Sequence, residues 1–296
     1  MYRETALASI IQSQDFPSED GTTTVRLMDE DETEVLAFLA VRPLHTAALT
    51  GFIRDNSLCS PHNRGSFHGF RNAQRELEGV ALIGHATLVK TRTDGALEAL
   101  AEVAQRCETT HMIMGEKERI HEFWSFYSKT GQQMRRACRE RLLELTWPVE
   151  IHKETADLRR ATRDDLHLVA PVHAEMAFAE SGVNPTETDS FGFLERCGRR
   201  VDQGRCWVWV EDGELIFKAD IVAETPLMVY VEGVWINPKE RGEGHGLRCT
   251  SQLARLLLSS SQSICVLVND ENEWAQRFYK RAGFKLRAIY DTIFLN

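Results

Sequence analysis

Gly242, Gly244 and Gly246 stand at alternate positions between an apolar segment ending in Ile236 and an apolar-periodic segment from Leu247 to Leu258. Glycine adopts backbone conformations closed to other residues and lets a ligand come close to the main chain. The helix predicted after it opens with unpaired N–H groups and the positive end of its dipole. Strand, glycine turn and helix start together make a socket for a diphosphate. The spacing excludes two common sockets. A dinucleotide turn reads G-x-G-x-x-G and a nucleoside-triphosphate loop ends in Gly-Lys-Ser/Thr. This turn reads Arg241-Gly242-Glu243-Gly244-His245-Gly246.

A second constellation lies downstream. The apolar run Ile264–Val268, bounded by polar residues, predicts a buried strand. Asn269 and Asn272 follow, then a short helical segment carrying Ala275, Phe278 and Tyr279, then Gly283-Phe284. Arg241-x-x-Gly244-x-Gly246, preceded by Pro238, resembles the acyl-coenzyme A pyrophosphate loop of the GNAT acetyltransferase superfamily. Asn272-x-x-Ala275-x-x-x-Tyr279-x-x-x-Gly283-Phe284 resembles that superfamily's second motif at every anchor. Leu158-Arg-Arg-Ala-Thr162, continuing to Asp165-Leu166, is similar to the way many such domains begin. The resemblance covers 158–296 well and the first half loosely. The whole chain is also similar to bacterial GNAT proteins with an uncharacterised N-terminal domain; Phe217-Lys-Ala-Asp220 and the run Glu232–Gly242 carry that likeness.

The resemblance implies an acetyl-CoA-dependent N-acetyltransferase working by direct attack of an amine. It implies that the backbone from Arg241 through Gly242, Glu243, Gly244, His245 and Gly246 grips the pyrophosphate. Val234, Trp235 and Ile236 would border the pantetheine arm, with Asn269, Asn272, Ala275, Phe278 and Tyr279 beside it. Asn272 is expected to bond the pantetheine, Asn269 to cap the next helix or close its turn. Tyr279 would protonate the leaving thiolate; the plainer reading is a packed core tyrosine. Period-2 alternation places Glu232 on one face with Val234 and Ile236, toward the acetyl end, where partial burial would suit a general base. The plainer alternative is a carboxylate paired with a Lys or Arg. Arg241 would touch phosphate or lie in solvent. His245 fills a position usually apolar in the family and is expected to face solvent. For the acceptor, Glu175, Glu180 and Asp189 with Phe178 and Phe191 would suit a cationic amine, or form a solvated acidic face. Tyr290, on the last strand, is a further substrate candidate.

Composition sets the frame. The chain has 296 residues, 35 Lys and Arg against 44 Asp and Glu, and a net charge of −9. That balance disfavours nucleic acid as an obligate partner. Seven cysteines are scattered without metal-ligand spacing, so no metal is expected, and none sits in the motifs as a nucleophile. No secretory leader and no membrane-length apolar run is visible, which predicts a cytoplasmic protein. The size suits two domains. The expected fold is α/β (α+β): two tandem GNAT-like domains, 1–150 and 157–296, each a mixed, mostly antiparallel sheet flanked by helices. The first half repeats the order strand–strand–helix–strand–helix–strand. Its counterpart of the glycine turn, Thr91-Arg-Thr-Asp-Gly95, has one glycine beside a carboxylate, so coenzyme is not expected there. That half would serve as lid, substrate wall or dimer surface, a homodimer being possible. An acyl-CoA-binding sensor without turnover is the alternative function. The acceptor, a small amine or a peptide or protein amine, stays open.

Overall fold

The computed structural model describes residues 16–17, 21–152 and 157–296. In chain order the first half contains β1 (Phe16–Pro17), β2 (Thr23–Arg26), α1 (Glu32–Ala40), α2 (Pro43–Asn56), β3 (Gly65–Arg71), β4 (Leu77–Gly84), β5 (Ala86–Thr91), α3 (Asp94–Gln105), β6 (Met112–Glu116), α4 (Lys117–Tyr127) and β7 (Met134–Leu145). The second half contains β8 (Arg159–Arg160), α5 (Leu166–Ser181), α6 (Pro185–Thr188), α7 (Ser190–Asp202), β9 (Cys206–Glu211), β10 (Glu214–Glu224), β11 (Val229–Ile236), α8 (His245–Leu257), β12 (Ile264–Asn269), α9 (Glu273–Arg281) and β13 (Lys285–Leu295). Part of the interdomain crossing expected over Pro148–Asp157, and most of the polar stretch expected as a loop near 12–24, lie outside the described residues.

Local chemistry sets several boundaries. Pro43 begins α2 at its first position, where its missing N–H costs nothing. Asp165 accepts from the Thr162 backbone N–H at 2.7 Å, closing a capping box ahead of α5. Asp212 and Gly213, both at positive φ, turn β9 into β10. The apolar segment from Leu77 to Thr91 forms two strands, β4 and β5, with the break at His85. The helices α6 and α7 were not foreseen as elements.

The mostly antiparallel, helix-flanked α/β architecture is as expected, but the strands form one sheet. Among the described residues it has 13 strands in the order β1-β2-β3-β4-β5-β6-β13-β7-β12-β11-β10-β9-β8. Its centre interleaves the halves: β13, the last strand of the chain, lies between β6 and β7, and β7 pairs with β12. Each half thus completes the other's sheet. The seam is also bonded through side chains, Thr292 donating to Glu140 at 2.6 Å and Arg139 to Asp291 at 3.0 Å. Helices α8 and α9 cover one face of the second half around Leu143, Val231, Val266 and Tyr279. On the opposite face α2 reaches across onto β10, where a Cβ on Gly51 would stand 2.4 Å from that of Ala223. Asp55 and Arg205 pair at the same junction.

Candidate functional site

Strands β11 and β12 run parallel, but only Val229↔Ile264 and Tyr230↔Cys265 are in register. Beyond Tyr230 they separate, while β11 stays paired to β10 as far as Ile236 and β12 to β7 as far as Asn269. The backbone edge of 232–236 on that side is left without a strand partner. The gap leads into the glycine turn. Gly244 holds φ +80 at the N-cap of α8, and no side chain caps that helix. A Cβ at Gly242 or Gly244 would meet nothing within 4 Å, so the turn is an open cradle in front of free first-turn N–H groups. Gly246 faces inward: a Cβ there would sit 2.4 Å from Ile236 Cδ1 and 3.0 Å from Phe278. The glycine turn is therefore open toward the uncapped first turn of α8.

The flanks of the turn were only partly foreseen. Arg241 is exposed, and its guanidinium lies 5.6 Å above the ring of Trp274, itself stacked on Phe278 at 5.7 Å. Trp274, half in solvent, is a planar wall beside the turn that the sequence reasoning passed over. Glu243 is exposed. His245, expected to face solvent, is instead largely enclosed: its ring meets the edge of Trp209 at 4.8 Å and Glu240 at 3.4 Å. Asn269 and Asn272 both act as local caps, accepting from the N–H of Glu271 at 2.8 Å and of Ala275 at 3.0 Å. Ala275 packs against the core of this face.

A backbone irregularity corrects the expected placement of Glu232. Gly233 has φ +58 and interrupts the register between β10 and β11. Such a bulge adds one residue and inverts the alternation beyond it. Val231, Val234 and Ile236 consequently share the α8 face, whereas Trp235 packs among the residues under α5. Glu232 thus does not share a face with Val234 and Ile236; it lies on the opposite one. Lys218, fully buried, fixes the bulge by donating to the Gly233 carbonyl at 3.2 Å and pairing with Asp220.

On that opposite face carboxylates converge. Glu232 accepts from Arg200 at 3.0 Å. Arg200 also faces Asp220 at 3.5 Å, and His173 faces it at 3.2 Å. Burial pushes Glu140 upward, as do the charges of Glu232 and Asp291, against the hydrogen bond from Thr292. Glu180, crowded at the end of α5 but still reaching solvent, is raised to about 7 by burial first and then by Glu140 and Glu232. Tyr230 is held protonated by burial and the same carboxylates. One face of the gap therefore offers an acidic, proton-accepting environment. Of this group only Glu232 and Glu180 had been singled out; Arg200 bonds Glu232 across 32 residues, Glu140 comes from a strand of the first half, and Tyr230 stands two positions before Glu232 on β11.

The other acceptor candidates fall elsewhere. Glu175 and Phe178 line an outer groove between α5 and α7, and Phe191 is exposed on the first turn of α7. Tyr290 lies in the first half's part of the sheet, its hydroxyl 3.1 Å from His45 Nδ1. Tyr279 is buried against Phe278 and Phe284 on the α8 face and faces a small void with Val231 and Val234. Burial raises its phenol. His173, Cys206 and Asp220 have ligand atoms within 4.8 Å of one another, but Lys218 already neutralises Asp220 and burial keeps the Cys206 thiol protonated, a poor setting for a cation.

Comparison with known proteins agrees with this geometry. Residues 168–284 match the profile of the Acetyltransferase (GNAT) family. Several solved structures share the fold of the whole chain at low sequence identity. A Drosophila protein aligns with a TM-score of 0.65 at 13% identity, over 92% of this chain and 97% of its own. A GNAT-family acetyltransferase from Colwellia psychrerythraea aligns at 0.59 and 10%, over 93% and 99%. A tandem GNAT protein from the clavulanic acid biosynthesis pathway aligns at 0.56 and 11%, over 92% and 98%. No curated protein matches the chain. GNAT acetyltransferases in general move an acetyl group from acetyl-CoA to an amine. Among the described residues no helix is long and apolar enough to cross a membrane.

Proposed function

We propose that this chain is an acetyl-CoA-dependent N-acetyltransferase of bacterial, cytoplasmic type, built as tandem GNAT-like halves (1–150 and 157–296). The second half holds the coenzyme, and the first is a degenerate copy that supplies structure. The single observation carrying this reading is the separation of β11 from β12 beyond Tyr230, opening directly onto the uncapped start of α8. The N–H groups of 242–247 would take the pyrophosphate, with Arg241 and Trp274 at its edge. The free edge of 232–236 would pair with an extended amide arm.

Acetyl-CoA, when bound, supplies an activated acetyl thioester. Glu232, with Glu140 and Glu180 behind it, would accept the proton that an incoming amine loses, and would attract that amine while it is still a cation. Arg200 orients Glu232 at the gap. Tyr279 keeps its proton over the working pH range and would deliver it to the departing sulfur. A covalent enzyme intermediate has no support: Cys249 and Cys265 are buried, and burial pushes Cys249 up to about 12. The acceptor fitting this environment is a cationic amine, small or carried on a peptide or protein. Titration with acetyl-CoA, followed by detection of free thiol on adding an amine panel, tests the reading; absence of acetyl-CoA binding would refute it.

The pairing of Glu232 with Arg200 favours a second reading, an acyl-CoA sensor without turnover. Under that reading acetyl-CoA binds but no amine in the panel releases thiol.

A further inference from the structure

The first half contains its own opening through the sheet. Strands β5 and β6 are parallel and in register only at Ala86↔Met112, Thr87↔Ile113 and Leu88↔Met114. Beyond this β5 remains paired to β4 and β6 to β13, so Val89–Thr91 and Gly115–Glu116 part. A cavity occupies the gap, with about 730 Å³ of empty space counting its mouth. Its lining is mostly apolar, with Leu44, Leu88, Val89, Leu97 and Leu267 among it. Leu44 and Ala48 of α2 line it from one face of the sheet, Leu97 of α3 and Ile120 of α4 from the other. Its far wall is Tyr230 and Leu267 of the second half.

Most charged groups at this cavity are held in ion pairs. Arg42 donates both terminal nitrogens to Glu116 at 2.8 Å, which neutralises that pair. His45 lies 3.3 Å from Glu116, and burial keeps the imidazole neutral. Arg119 is paired with Asp94 and Glu122. Lys90, half-buried on the cavity wall, has no partner among the described residues. A lysine that makes no ion pair of its own, with Glu116 nearby already held by Arg42, beside an apolar-lined cavity selects a monoanion with an apolar tail. A phosphorylated carrier is disfavoured, because Thr93 caps α3 and Asp94 occupies its first turn.

We propose that this cavity is a binding site for an aliphatic carboxylate, its head on Lys90 and its tail between β5 and β6. A tail reaching Tyr230 touches the residue that borders the acidic group of the second half.

The full chain titrated with octanoate, by calorimetry and thermal shift, tests this. Octanoate should bind one per chain and raise the melting temperature, and 1-octanol should bind at least tenfold more weakly. Lys90→Met should weaken octanoate at least tenfold, Lys90→Arg should restore most of it, and Ala48→Trp should block the cavity. Circular dichroism and the unliganded melting temperature establish that each variant folds; Lys90→Arg keeps the question answerable should Ala48→Trp misfold. No binding to the wild-type chain overturns the proposal. So does equal binding by Lys90→Met, or equal affinity for octanol.

Discussion

The two halves build the same gap and finish it with opposite chemistry. In the first half the helix after the gap, α3, begins with Thr93, whose side chain accepts from the Ala96 N–H at 3.3 Å, and Asp94 follows in its first turn. In the second half α8 begins with Gly244 at φ +80, with no side chain on its first-turn N–H groups. The parallel pair that parts after three or two registered residues belongs to the fold. The difference that the proposed diphosphate site rests on lies in a few residues at one helix start. A second parallel qualifies the catalytic assignment. Tyr279-x-x-x-Gly283 has its counterpart in Tyr127-x-x-x-Gly131, where a Cβ on Gly131 would stand 2.5 Å from the Tyr127 ring. The Tyr-x-x-x-Gly spacing thus recurs in both halves, but a Cβ on Gly283 would meet Leu145 at 3.3 Å and not Tyr279. In the second half Tyr279 faces the void beside Val231 and Val234, next to the proposed coenzyme site.

The comparison can be broken experimentally, the largest effect first. Tyr279→Phe should lower kcat by about 100-fold, the scale of a lost proton donor, with little change in acetyl-CoA affinity. Tyr127→Phe should leave kcat unchanged. Equal kcat in Tyr279→Phe would reduce both tyrosines to packing. Gly246→Val must displace Ile236 and Phe278, an overpacking cost of roughly 1–3 kcal/mol. Falling on the loop that receives the phosphates, this should weaken acetyl-CoA about tenfold or more in calorimetry. Gly244→Val meets open space but a left-handed backbone, costing about 1–2 kcal/mol, so a loss of about tenfold or less is expected. Gly95→Ala, with nothing within 4 Å of the added carbon, should leave acetyl-CoA affinity unchanged.

The smallest effect concerns pH. Glu180 is raised in the fold to about 7 from an ordinary value of 4.5. Between these values the unfolded chain has released a proton that the folded chain keeps, so stability falls as pH rises through the window. Glu180→Gln should flatten the melting-temperature profile between about pH 4.5 and 7. Its contact with solvent keeps the effect modest, and an unchanged profile would remove Glu180 from the coupled group.

The sequence disclosed what is local. Gly242, Gly244 and Gly246 announce themselves within a few residues, and the structure places them between β11 and α8 as read. What stayed hidden depends on pairings across the chain. The bulge at Gly233 arises from the register of β10 against β11, and it reverses the face on which Glu232 lies. Glu140 joins the acidic group because β7 of the first half pairs with β12 of the second. Tyr290 leaves the presumed acceptor region because β13 crosses to lie beside β6. Alternation within one strand foresees none of these.

Calorimetric titration of the full chain with acetyl-CoA is the most direct measure of whether the glycine turn, and not its counterpart in the first half, holds the coenzyme. The account predicts one site per chain, weakened about tenfold or more by Gly246→Val and untouched by Gly95→Ala. Two equivalent sites, or unaltered affinity in Gly246→Val, would contradict it.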